Sequence, residues 1–244
     1  MIYLTGFHAI EERIKFAKST GAACGPLLLA KPGPRAKEVV ALAVNNNIRV
    51  DRVGTFELEG LAPGNRGIAL RVDDIKSDRP DVKLEEFIEN LGDRKDSLVL
   101  LLDEITDPHN YGAILRTCDQ LGADLVVSRN RRSAKHAEVL SKTSAGAVNW
   151  VPQAETANLV RAADNLKDAG FWIYGADMEG EALYKKDFSG RTAFVLGSEG
   201  AGVSRLLKER CDAIVGIPCF GKIDSLNVSV AAGVLLYEAR RQRG

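Results

Sequence analysis

The feature that most narrows the fold of this chain is a succession of short, unbroken apolar runs in its C-terminal part. They are Leu98–Leu102, Leu125–Val127, Trp150–Val151, Phe171–Tyr174, Ala193–Leu196 and Ala213–Ile217, and helical patterns such as Leu159–Lys167 separate them. A strand with one solvated face alternates polar with apolar. A strand that is apolar throughout is covered on both faces, which is the situation of a parallel sheet between helices. The expected class is therefore α/β. In such sheets ligands bind beyond the carboxyl ends of the strands. The polar loops after Leu102, Leu196 and Ile217 all leave from that edge, so they are expected to converge.

Ahead of these runs a smaller α/β region is expected. Gly6–Phe16 and Ala36–Val44 read as helices, and Pro26–Ala30, Ile48–Val50 and Gly67–Val72 as strands. From Asp73 to Ser97 the chain is strongly charged, yet Leu84, Phe87, Ile88 and Leu91 keep helical spacing, which marks a linker carrying one short helix. The expected organisation is a small domain over 1–72, a linker over 73–97 and a larger domain over 98–244.

Composition excludes some functions. Thirty-three Lys and Arg balance thirty-three Asp and Glu, so net charge does not mark a nucleic-acid binder and only a local patch can supply one. Arg129, Arg131, Arg132 and Lys135 form the densest basic cluster, and Arg240, Arg241 and Arg243 a second; such clusters read as solvated surface, and the first reads equally as an RNA contact. Four cysteines without a C-x-x-C pair and three histidines offer no metal site and fit reduced thiols. The N-terminus lacks a signal-peptide pattern, and no segment approaches the roughly 20 apolar residues of a membrane span. A soluble cytoplasmic protein with no membrane partner is expected.

Three motifs carry chemistry. In Leu196-Gly-Ser-Glu-Gly-Ala-Gly202 the glycines permit tight turns, but the G-x-x-G-x-G spacing departs from the dinucleotide fingerprint, and no P-loop occurs. A nicotinamide-linked oxidoreductase is thereby disfavoured. In Asp107-Pro-His-Asn-Tyr-Gly-Ala-Ile-Leu-Arg-Thr117 the proline sets a helix start, where Asn110 is either an N-cap or a site residue. Arg116 faces away from Ile114 as a surface ion-pair partner or a buried anion binder. The last helix, from Val228 to Tyr237, is apolar around most of its circumference, so a partner subunit is expected to cover one face. Ser225 and Asn227 at its mouth read as caps or as site groups.

Taken in order and spacing, these segments with Ile217-Pro218, Gly221 and Ser225-Leu-Asn-Val-Ser-Val-Ala-Ala-Gly233 closely resemble the three signature motifs of the SpoU (TrmH) RNA 2′-O-methyltransferases. Arg132-Ser-Ala134 and Ser144-Ala-Gly-Ala147 resemble lesser blocks of that family. Tyr111 stands where a smaller aliphatic residue is common, and Cys219-Phe220 where Met and a small residue are common. The resemblance implies a C-terminal SPOUT domain with a trefoil knot, an exception to the no-knot rule, and an S-adenosylmethionine (SAM) site without metal. Leu196, Gly197, Gly200, Ile217 and Leu226 would hold the cofactor. Asn110, Arg116, Glu199, Ser225 and Asn227 would form the catalytic surround.

The resemblance also implies a homodimer. It further implies that the N-terminal domain, with Gly6-Phe-His-Ala-Ile10, is the RNA-binding domain of the subgroup that methylates a guanosine of 23S rRNA. His8 itself reads as a helix-start or core histidine, not a catalytic one. A guanidinium is a poor base at neutral pH, so Arg116 is assigned to phosphate and developing negative charge, with Glu199 or solvent taking the proton. The rival readings are a tRNA methyltransferase and a catalytically silent RNA-binding assembly factor.

Overall fold

The computed structural model describes residues 2–72, 82–129, 144, 147–222 and 225–244. The chain divides into two compact units, one of Met1–Arg79 with Ser133–Trp150, the other of Pro80–Arg132 with Val151–Gly244. Relative to the 1–72, 73–97 and 98–244 division, the short helix of the expected linker groups with the larger unit, and Ser133–Trp150 groups with the smaller.

The smaller unit contains β1 (Ile2–Leu4), α1 (Phe7–Thr20), β2 (Leu27–Leu29), α2 (Pro34–Asn45), β3 (Val50–Arg52), α3 (Thr55–Leu61) and β4 (Ile68–Val72). Its sheet runs β1-β4-β2-β3, with β4 antiparallel to β1 and β2 and β2 parallel to β3. Ile10 and Ile14 of α1 and Val39 and Ala43 of α2 share one core with Leu27, Ile68 and Leu70. Gly21 stops α1 in the left-handed conformation (φ 75°), its N–H donating to the Ala17 carbonyl. Trp150 packs edge-on against Phe16 with centroids 5.3 Å apart, and its Nε1 donates to Glu12. His8 sits on the first turn of α1, exposed, 3.8 Å from Glu11. The sequence pattern missed β1, which is only three residues long, and α3, which buries only Leu58.

The larger unit opens with α4 (Leu84–Glu89), and then come β5 (Ser97–Leu102), α5 (Pro108–Leu121), β6 (Leu125–Arg129), β7 (Gln153–Thr156), α6 (Leu159–Asp168) and β8 (Trp172–Ala182). β9 (Arg191–Leu196), α7 (Arg205–Lys208), β10 (Ala213–Gly216) and α8 (Val228–Arg243) complete it. All six strands pair in parallel in the order β10-β8-β9-β5-β6-β7, as the apolar runs require. β5 is buried at every position. The expectation of a strand at Trp150–Val151 is corrected: a 3-10 turn covers Ala147–Asn149, and the strand is Gln153–Thr156 at the sheet edge. An edge strand faces solvent along one side, so a polar sequence suffices there and an apolar run is no guide to it.

α8 packs on α5, with Gly233 facing the Thr117 methyl. The basic tail is tied to the rest of the unit by hydrogen bonds. Arg240 donates to the Leu121 and Gly122 carbonyls and so caps the end of α5. Arg243 donates to the carbonyls of Ser97, Phe188 and Gly190. Arg240 and Arg241 lie exposed, as the solvated-surface reading expects, yet none of the three is free: two guanidiniums serve backbone carbonyls and the third pairs with Glu238. Arg243→Met is expected to destabilise the protein by about 1.5–3 kcal/mol, the range for a hydrogen bond to a charged group. A urea midpoint unchanged from wild type would show the clamp to be idle.

The Glu238 carboxylate accepts from Arg241 and Gln242, and the Arg241 contact chiefly lowers its pKa to about 2 from an ordinary 4.5. A depressed carboxylate pKa contributes stability that is complete above the unfolded value and lost as pH falls toward the folded one. Wild type should therefore lose more stability than Glu238→Gln between about pH 4.5 and 2, as thermal melts across that window would record.

Candidate active site

The expected convergence of three loops at the carboxyl edge of the sheet is present. After β5, Pro108 enters the first turn of α5, and Asp107 caps it by accepting from the N–H groups of His109 (3.1 Å) and Asn110 (3.2 Å). The N-cap reading of Asn110 is thus corrected, and its side chain is free for other work. After β9, Gly200 and Gly202 take positive φ, and the Gly202 N–H donates to the Ser198 carbonyl. The buried Asp103 ties this loop to β5, its N–H donating to the Leu196 carbonyl and its carboxylate accepting from the Ser204 N–H at 2.9 Å. After β10, the chain returns to start α8 at Asn227.

Three side chains meet there. Asn227 Nδ2 donates to Glu199 Oε1 at 2.6 Å and to Asn110 Oδ1 at 2.9 Å, while Asn110 Nδ2 donates to the same Glu199 oxygen at 3.1 Å. Asn227 Oδ1 accepts from the N–H of Ser229 (3.0 Å) and from its hydroxyl (2.5 Å). Both readings of Asn227 therefore hold at once: its oxygen caps α8 and its nitrogen organises the site. Because the helix takes the oxygen, the amide cannot flip, and N–H must face the carboxylate. Glu199 Oε2 accepts no hydrogen bond among the described residues.

The other expected site residues lie outside this network. Arg116 is exposed on α5 and makes no hydrogen bond or ion pair among the described residues. Six residues beyond Asn110, it lies about 9 Å farther along the axis and roughly 120° around it. Ser225 is exposed just before Asn227. Arg129, at the end of β6, stands 3.5 Å from Glu104, whose φ of 58° is unusual for a non-glycine residue. Arg131, Arg132 and Lys135 lie outside the described residues. Tyr111 reaches Ser128 on β6 at 3.2 Å and Gln153 on β7 at 3.3 Å, contacts an aliphatic residue cannot make.

A cavity of about 450 Å³ opens between the far half of β8 and the chain leaving β10, with Met178, Glu179, Ala182, Ile217, Pro218 and Cys219 in its wall. Gly180 and Gly216 in its wall let β8 and β10 approach closely; a Cβ on Gly180 would lie 2.4 Å from the Val215 carbonyl carbon. The volume falls within the roughly 300–1,000 Å³ of small-molecule sites, and a wall of backbone and apolar groups with one carboxylate fits a cationic nucleoside. Of the expected cofactor residues, Ile217 lines this cavity. Leu196 ends β9, Gly197 and Gly200 belong to the loop after it, and Leu226 to the approach to α8. Met178 and Glu179 were not foreseen, because the apolar run ends at Tyr174 while β8 continues to Ala182. Ser229 was missed although an Asn cap with serine two residues on is a visible pattern. Among the described residues no three His, Cys, Asp or Glu side chains are placed to hold a metal ion, and no helix is long and apolar enough to cross a membrane.

The profile of the SpoU rRNA Methylase family matches residues 97–237. The chain belongs to this family. Among its SpoU relatives, the 23S rRNA (guanosine-2′-O-)-methyltransferase RlmB of Neisseria meningitidis is 40% identical over 98% of this chain and 94% of that protein. An uncharacterized tRNA/rRNA methyltransferase of Borreliella burgdorferi is also 40% identical, over 87% of this chain and 96% of that one. The crystal structure of the SpoU methyltransferase AviRb from Streptomyces viridochromogenes, in complex with AdoMet, superposes with a TM-score of 0.73 at 25% identity, covering 99% of this chain and 90% of that one. The site described above lies within the matched SpoU region.

Proposed function

We propose that this protein transfers a methyl group from SAM to the ribose 2′-hydroxyl of a guanosine in 23S rRNA, as a cytoplasmic homodimer. The observation that carries the reading is the Asn110–Glu199–Asn227 network, built from three loops of a SpoU domain. Near-full-length likeness to an enzyme named for that reaction supports the substrate. We take the chain from β9 to α8 to form the knot, since after edge strand β10 it must cross back to reach α5. The exposed Val230 and Tyr237 of α8 are assigned to the dimer interface.

Bound in the cavity, SAM supplies a methyl group on a sulfonium, already activated for in-line transfer. The chain's residues then have two tasks, placing the ribose oxygen and removing its proton. The two amides hold Glu199 by Oε1, which would leave Oε2 to accept the 2′-hydroxyl proton as the oxygen takes the methyl group and the methyl–sulfur bond breaks. Arg116 is assigned to a phosphate of the target strand, which a guanidinium grips bidentately, and Arg129, Arg131, Arg132 and Lys135 to neighbouring phosphates.

Tritiated methyl transfer to total RNA from a strain lacking the gene, followed by mapping of the 2′-O-methyl position, tests the reading. Label at one 23S rRNA guanosine is the expected result. Label in tRNA would reassign the substrate, and SAM binding without transfer would overturn catalysis in favour of an assembly role.

A further inference from the structure

We propose that Phe220 is a stacking platform for the base of the target nucleotide, with Lys222 on the same loop meeting its phosphate. The inference rests on the reading of the site as an RNA ribose methyltransferase. Phe220 is 98% exposed, the most exposed large hydrophobic among the described residues. Exposure of one apolar side chain means little by itself; here its position decides. Cys219 and Gly221, on either side of it, line the cavity beneath the loop, while Phe220 does not. Every described residue from Pro218 to Asn227 is exposed, and Asn227 at the end of that segment carries the amide that holds Glu199. Lys222 makes no hydrogen bond or ion pair among the described residues.

An aromatic ring and a cation two residues apart, on the segment that joins the cavity wall to the catalytic amide, match the chemistry of an unstacked nucleotide. We place the base and phosphate of a ribose whose 2′-hydroxyl faces Glu199 at this loop, because Gly221 lines the cavity and Asn227 ends the same segment. Every base has a π-face, so the platform confers grip on a splayed nucleotide, and discrimination among bases falls to other groups. Losing one base–aromatic stack weakens binding by roughly 5- to 150-fold.

Phe220→Ala and Phe220→Trp, assayed as full-length protein with deproteinised 23S rRNA, test the proposal. Phe220→Ala is expected to raise KM for rRNA about tenfold while the SAM dissociation constant, read by calorimetry, stays at the wild-type value. Phe220→Trp should keep a near-normal KM, and its added indole emission, measured above that of Trp150 and Trp172, should be quenched by the rRNA. An unchanged KM in Phe220→Ala together with an unquenched Phe220→Trp overturns the platform. So does a shift of the monomer–dimer equilibrium in Phe220→Ala, which would make the residue a subunit contact. Quenching in Phe220→Trp when wild type transfers no methyl group would support the platform and sink the catalytic reading instead.

Discussion

Asn227→Asp should lower methyl-transfer turnover about 10²–10³-fold, the usual loss when one preorganised group at a reacting centre is removed, and leave the α8 cap in place. The aspartate keeps an oxygen where Asn227 Oδ1 caps α8, and Asp is as good a cap as Asn. What it loses is the N–H that meets Glu199 at 2.6 Å and Asn110 at 2.9 Å. In its place a second carboxylate faces the first, and two carboxylates so close cannot both remain ionised at ordinary cost. Asn227→Ala, lacking cap and bridge alike, should lose turnover and also about 1 kcal/mol of stability. Turnover within a few-fold of wild type in both variants would show the network to be scaffolding, with no part in proton removal.

Gly197→Ala is the second substitution with a large expected effect. A Cβ there would lie 1.9 Å from the Gly202 carbonyl carbon and 2.2 Å from the Val203 nitrogen. These are backbone atoms, so no rotamer change relieves the clash and the loop from β9 must open. Overpacking in a core typically costs 1–3 kcal/mol, occasionally more; we expect about 3 or more here, with SAM binding lost. Gly200→Ala provides the contrast. Nothing lies within 4 Å of its added Cβ, and the cost is only that of holding alanine at φ +92°, about 1–2 kcal/mol. Urea denaturation and SAM calorimetry on the pair should rank Gly197→Ala well below Gly200→Ala; the reverse order would mean that backbone conformation, not closure of the loop, governs this turn.

The fold was legible where burial on both faces forces an apolar run. β5, β6 and β9 fall where those runs are, because a central parallel strand has no solvated side on which to place polar residues. The pattern failed at the margins for the same reason. β7 is Gln153-Ala-Glu-Thr156, at an edge, and β8 runs on past Tyr174 through Asp177, Glu179 and Glu181, where it leaves the sheet interior to wall a cavity. The tail arginines look like surface charge because nothing local distinguishes a guanidinium in water from one reaching carbonyls at the far end of another strand.

The candidate site divides in a similar way. From its apolar runs, the sequence determined that three polar loops leave one edge of a parallel sheet, and the resemblance to the SpoU family put Asn110, Glu199 and Asn227 among their candidates. Only the tertiary structure decided which of those residues touch. Asp107 takes the helix cap and so frees Asn110; Ser229 and the α8 N-terminus hold the Asn227 oxygen and so aim its nitrogen at Glu199; Arg116 is left outside the network. Alternation and capping are set by neighbours within a few residues, so they are written locally. A hydrogen bond between residues 89 or 117 positions apart depends on how the strands order themselves in the sheet, and only the folded chain specifies that.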